Sequence, residues 1–262
     1  MRTNNNQKQE SEGILVYEEG VEFPYHMIKS RRKTVALQIL KNSEIVVRLP
    51  VGLSWQTGHD FVIKNKNWIY NQVMRVKEAR AMQEEFHWVD GAEVLLHGEK
   101  KRLLVYIKKT GRGVEVWETG EDIRVVGRPP DGGNESQEPD IEQWVKASVE
   151  QWYKKQAKDY LVKKTTLWAQ RMGTSFARIS IRDQATRWGS CSTKGNLNFN
   201  WKLVLLPEEL ADYVVVHELG HRFHMDHSSD FWGVVENYLP DYKQRRKQLK
   251  DYGEKINLIY GV

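Results

Sequence analysis

The spacing of apolar positions changes period several times along this chain, and each change marks a new element. Val35, Leu37 and Ile39 alternate with other residues. After Lys41-Asn42-Ser43-Glu44 comes Ile45-Val46-Val47-Arg48-Leu49, which predicts a hairpin ending at Pro50. Residues 54–85 turn helical, with Phe61, Trp68, Ile69, Val73 and Val76 as the buried stripe. Strand-like runs return at 93–96, 103–108, 114–118 and 123–126, with Thr110-Gly111-Arg112-Gly113 as a turn. Residues 129–140 carry no apolar side chain beyond their prolines and read as a linker or exposed loop.

Beyond that stretch a long helix is expected from 141 to about 172, through Trp144, Val145, Val149, Trp152, Tyr153, Tyr160, Leu161 and Trp168. Tryptophans on such stripes are core residues rather than ligand platforms. Three short strands follow at 176–181, 186–191 and 196–201. Pro207-Glu208-Glu209 opens a helix that carries Leu210, Tyr213, Val214, His217 and His221 at helical spacing. Another helix runs over 231–239 and is interrupted near Pro240. No internal repeat is evident. The expected organisation is α+β: a loose tail at 1–12, a β-rich region with a long helix at 13–128, a linker at 129–140 and a second unit at 141–262.

Composition narrows the class without changing this picture. The chain is 40% hydrophobic and 29% charged over 262 residues, an ordinary globular balance. No run approaches the ~18 apolar residues of a membrane span, and the N-terminal residues lack a secretory apolar core. A single cysteine, Cys191, excludes an internal disulfide and suits a reducing compartment; beside Trp188 on a strand pattern it reads as a small buried residue. The expectation is a cytoplasmic protein with no membrane partner. A net charge of +5 permits nucleic-acid association without requiring it. The clusters Arg31-Arg32-Lys33, Lys100-Lys101-Arg102 and Arg245-Arg246-Lys247 read as solvated edges.

The chemistry concentrates in residues 217–227, which hold four of the chain's eight histidines. His217 and His221 are four apart, so on a helix of about 3.6 residues per turn they share a face and can converge on one divalent ion. Glu218 lies at the edge of that face, close enough to serve as a general base without ligating the metal. This is the H-E-x-x-H pattern of metal-assisted hydrolysis, and a catalytic zinc usually takes a third protein ligand. His227, beyond the helix end, can turn back toward the ion. Glu236 on the next helix and His224 within the turn are the alternatives. Arg187, His224 and Tyr238 are candidate oxyanion donors. Asp226 and Asp230 are candidates either to orient imidazoles or to cap the next helix.

Arg187-Trp188-Gly189-Ser190-Cys191-Ser192, Asn198-Phe199-Asn200-Trp201-Lys202-Leu203, the segment from Tyr213 to His221, His227-Ser228 and Phe231-Trp232 together resemble the YgjP-like metallopeptidase domain family. That family is similar to the SprT-like and WLM zinc proteases. Ser30-Arg31-Arg32-Lys33-Thr34 and Asn67-Trp68-Ile69 resemble its N-terminal half. The resemblance implies one catalytic Zn2+ on His217, His221 and His227, Glu218 as acid/base, a peptide or protein substrate, and a compact zincin-type core of helices packed on a short sheet. Phe199 stands where the family commonly has leucine, and residues 90–140 look longer than its usual core. Two other functions share the pattern: a zinc-dependent nucleotide phosphohydrolase (pyrophosphatase), and a DNA-associated protease of the SprT/WLM type.

Overall fold

In the computed structural model, which describes residues 10–40, 42–130, 139–184 and 186–260, the chain divides into two units, Met1–Glu84 and Glu85–Val262. In the first, β1 (Glu10–Val16) pairs antiparallel with β2 (Glu22–Ser30), and β2 pairs parallel with β4 (Ile45–Pro50). β3 (Ala36–Ile39) closes the sheet antiparallel to β4, with Ile39 opposite Ile45. The hairpin expected from alternation is therefore β3–β4, while β1 and β2 were not anticipated. Residues 10–12, assigned to a loose tail, open β1, and the rest of that tail lies outside the described residues. β2 does alternate, burying Phe23, Tyr25 and Met27, but Pro24 interrupts the signal. The strand tolerates the proline because pairing to β4 begins only at Tyr25.

The single helix expected over 54–85 is two, α1 (Trp55–Lys64) and α2 (Lys66–Glu85). The Ser54 hydroxyl caps α1 by accepting the Thr57 N–H at 3.1 Å. Asn65, at φ −102° and ψ 15°, breaks the run and donates from Nδ2 to the Phe61 carbonyl at 2.7 Å. Val62, Ile69 and Val73 form the stripe buried against Met27, Val47 and Leu49. Trp68, expected in the core, is exposed, since a residue adjacent to Ile69 points about 100° away. Phe61 and Val76 are half-buried.

The second unit begins with another four-stranded sheet. β5 (Glu93–Leu96), β6 (Glu99–Ile107), β7 (Val114–Thr119) and β8 (Asp122–Gly127) lie in the order β5-β6-β8-β7. β6–β8 is parallel and the two outer pairs are antiparallel. α3 (Ile141–Met172) follows, capped by Asp140 at its start and by Gly173 at φ 64° at its end. Its expected stripe through Trp144, Val145, Val149, Trp152, Tyr153, Leu161 and Trp168 is buried, Tyr160 is half-buried, and Ala157 joins the buried face. β9 (Arg178–Arg182), β10 (Gly189–Cys191) and β11 (Asn196–Asn200) make a small sheet in the order β10-β11-β9. The chain then runs through a 3-10 turn (Trp201–Leu205) into α4 (Glu208–Gly220), α5 (Ser229–Tyr238) and α6 (Tyr242–Ile259). The fold is α+β, with helices on a short sheet as expected.

The division at residue 84 differs from the expected boundary at 129–140, of which 131–138 lie outside the described residues. The reason is that β5–β8 share their apolar face with α3. Val94, Leu103, Ile123 and Val125 belong to one buried cluster with Trp144, Val149 and Tyr153. Tyr153 donates from its hydroxyl to the Leu95 carbonyl at 2.7 Å, and the Leu95 N–H donates to the Tyr260 hydroxyl at 2.8 Å. At the β5–β6 turn, the His97 and Gly98 N–H groups donate to the Val204 and Leu205 carbonyls at 2.8 and 3.1 Å. A β-carbon on Gly98 would lie 2.8 Å from Pro207, so the turn backs the entry to α4 directly. Among the described residues no helix is long and apolar enough to cross a membrane.

Candidate metal centre

α4 is buried on almost every side, which explains why its apolar residues continue around the helix instead of keeping to one stripe. Glu208 and Glu209 occupy its first turn, where acids meet the positive end of the helix dipole. Asp212 fixes its rotation, accepting from the Trp168 indole N–H and from Lys164 Nζ, both at 2.8 Å. His217 and His221 then emerge one turn apart near the C-terminal end.

The turn after α4 is anchored at both ends. Arg222 donates to the Ser175 and Thr193 carbonyls at 3.1 and 3.2 Å. Asp226 accepts the Ser228 N–H at 3.2 Å, and Ser228 caps α5 through the Phe231 N–H at 3.5 Å. His227 lies between these anchors. Gly220 lets α5 approach closely: a β-carbon there would lie 3.0 Å from the Phe231 ring. Phe231 is fully buried, its ring centroid 5.0, 4.6 and 4.9 Å from His217, His221 and His227.

One ligand atom from each of these three histidines falls within 4.8 Å of the other two. His217 Nε2 and His227 Nε2 are 3.2 Å apart, and His221 Nδ1–H donates to the His224 carbonyl at 3.1 Å, leaving Nε2 of His221 as its free atom. His224 thus contributes its carbonyl to orient His221 rather than its imidazole to the cluster. Glu236 is exposed and outside the group, and Asp226 holds the turn. Burial, and then the neighbouring His221, His227 and Arg246, lower His217 to about 3, so its imidazole is neutral at ordinary pH. Burial lowers His221 as well.

Glu218 is buried beside them. Among the described residues its Oε2 has no hydrogen-bond partner, and Gly189 on β10 makes room for the side chain: a β-carbon there would sit 2.6 Å from Oε1. Burial raises the carboxyl to about 8, with Arg187 opposing. A donor set of three imidazoles around a common point, two of them lowered by burial, with a buried carboxyl group alongside, fits a divalent metal ion. Cys191 is half-buried with its thiol raised by burial and then by Glu218, and it stands outside the cluster.

Several residues of the site carried no chemical signal in the sequence. Trp232 packs 5.7 and 5.8 Å from His217 and His227, with Tyr242 stacked behind it at 5.1 Å and the Arg246 guanidinium over its ring at 5.3 Å. Arg245, read as a solvated edge, instead binds Asp241 at 2.9 Å and the Glu209 carbonyl at 2.8 Å. α6 escaped detection because its buried positions Tyr242, Leu249 and Ile256 are seven residues apart among charges.

Two helical histidines, a third from the following turn and an adjacent carboxylate are a constellation found in metal-dependent hydrolases. A family model described as "YgjP-like, metallopeptidase domain" matches residues 33–252, and the chain belongs to this family of metallopeptidases. A metal ion and hydrolytic chemistry are what membership implies. Among solved structures, the chain is similar to the metallopeptidase zymogen of Pyrococcus abyssi abylysin, at 23% identity and a TM-score of 0.33 over 35% of this chain and 93% of that one. No curated protein matches.

Proposed function

We propose that this protein is a zinc peptidase in which His217, His221 and His227 hold one ion and Glu218 is the general base and acid. The observation that carries this reading is the convergence of three imidazole nitrogens beside a buried carboxylate oxygen that has no hydrogen-bond partner among the described residues. When bound, zinc polarises the scissile carbonyl and supplies a nucleophile at neutral pH. The rest of the work falls to the protein. Glu218 takes a proton at its carboxylate and returns it to the leaving amine. Gly189 leaves the carboxylate the space to do so, and Phe231 closes the floor of the cluster against water. The His221–His224 carbonyl bond holds one imidazole in a single tautomer. The metallopeptidase family favours a peptide as substrate over a phosphate ester.

The test compares wild type, His217→Ala and Glu218→Gln for zinc content and for cleavage of a peptide library. One zinc per chain is expected in wild type and in Glu218→Gln, none in His217→Ala, and cleavage in wild type alone. Zinc retained by His217→Ala would remove the ligand assignment. Equal cleavage by Glu218→Gln would remove the role given to Glu218.

A further inference from the structure

The small sheet has two outer edges with different surroundings. β10 runs beside Glu218. At the other edge, β9 pairs only with β11 among the described residues. A groove of about 560 Å3 lies there, lined by residues 179–183 together with Lys154, Lys158 and Trp201. Four successive strand residues, 179–182, line it together with Asp183 just beyond the strand, whereas a groove over a sheet face would take alternate ones, so it follows the strand's edge. Ile179 and Ile181 are half-buried, and Trp201 is buried. Lys154 and Lys158 stand one helical turn apart on α3, and Arg182 ends the strand. Against these three cations the lining has one carboxylate, Asp183, which Lys154 meets at 3.5 Å.

We propose that this groove docks an extended acidic segment of a partner protein, which adds as a strand to β9 and sets its carboxylates against Lys158 and Arg182. A strand edge offers N–H and C=O groups in alternation, and an extended peptide answers both. A nucleic-acid backbone is chiefly an acceptor and leaves the carbonyls unmet, so the positive charge alone does not make this a phosphate site. The apolar side chains between the cations match the alternate side chains of an added strand, one apolar and the next acidic. Docking goes beyond the catalytic reading and does not rest on it.

The probe is a fluorescein-labelled peptide of about ten residues alternating Val and Glu, titrated by fluorescence anisotropy with the full chain carrying Glu218→Gln so that nothing is cleaved. Saturable binding is expected. It should weaken about tenfold or more when Lys158→Glu and Arg182→Glu are combined, or when Lys replaces Glu in the peptide. N-methylation of alternate peptide nitrogens should abolish it. Both substituted side chains are exposed, and an unchanged melting temperature confirms that the double variant is folded. Absence of saturable binding, equal binding of the N-methylated peptide, indifference to charge reversal, or displacement by an oligothymidylate of similar length would each overturn the proposal. The assay measures no turnover, so its failure leaves the metal reading standing, and loss of the metal reading leaves the assay informative.

Discussion

In β1–β4 and in β5–β8 the strands are ordered alike, with a parallel pair at the centre and an antiparallel strand on each side. What covers them differs. The first sheet is followed directly by α1 and α2, and Met27, Val47 and Leu49 find their cover in Val62, Ile69 and Val73 of the same unit. The contact is close enough that a β-carbon on Gly58 of α1 would lie 2.6 Å from Met27 Sδ. Among the described residues, the second sheet has no helix of its own before residue 141. Its apolar face turns to α3, which also packs against the small sheet and α4. A unit is therefore bounded by where its apolar face is satisfied, and a polar stretch such as 129–140 can fall inside one.

That contrast can be broken by placing one charge in each sheet. Val47 in β4 and Val125 in β8 are both fully buried. An unpaired carboxylate at either position should cost at least about 3 kcal/mol. Val125→Asp should abolish zinc uptake together with the near-ultraviolet signal of the α3 tryptophans. Val47→Asp should melt the first unit at lower temperature and leave zinc uptake intact. Calorimetry with metal analysis on both proteins checks this. Equal loss of zinc in the two variants would show that the units do not fold as separate energetic entities.

How much of each region was legible in the sequence follows from the same physics. His217, His221 and Glu218 could be placed because helical spacing is local, and the turn to His227 was short enough to anticipate. α3 was legible from its long stripe. The shared cover of β5–β8 was not, because no local pattern states which distant helix an apolar strand will meet. Nor was the repeated strand order, since topology can recur where residues do not. The break at Asn65 was hidden by a continuous helical stripe, and it is marked by a backbone turned out of helical geometry and a side-chain bond to the Phe61 carbonyl. Gly189 appeared only as part of a resemblance, while its purpose lies in a contact with a side chain 29 positions away.

Gly189→Ala sharpens the comparison within the second unit by separating the catalytic geometry from the packing that supports it. The added β-carbon would lie 2.6 Å from Glu218 Oε1, 2.8 Å from Cγ and 2.9 Å from Cδ, so the carboxylate must move. The backbone at Gly189 is not in the left-handed region, and the three atoms nearest the added β-carbon all belong to Glu218. Peptide cleavage should fall about a hundredfold, the scale of a 1 Å misplacement of a reacting group. Zinc content and melting temperature should stay near wild type. Loss of zinc in step with activity would instead make Gly189 part of the scaffold that holds the ligands.

The smallest expected effect is a pH dependence confined to the second unit. In the metal-free protein Glu218 titrates at about 8, above its ordinary 4.5, so between those values the folded state holds a proton that the unfolded chain releases. The stability this contributes is full below about 4.5 and is lost as pH rises toward 8. His217, lowered from 6.5 to about 3, acts in the opposite sense: its contribution is full above 6.5 and is lost as pH falls. From 6.5 to 8 the Glu218 slope stands alone, at up to about 1.4 kcal/mol per pH unit. Chelator-treated wild type should therefore lose stability over that range relative to Glu218→Gln, in urea melts of the metal unit. Zinc should flatten the difference, because a nearby dication favours the carboxylate. The first unit's transition, located with Val47→Asp, should show no such difference between the Glu218 proteins. A slope that instead follows the first unit would detach the titration from Glu218.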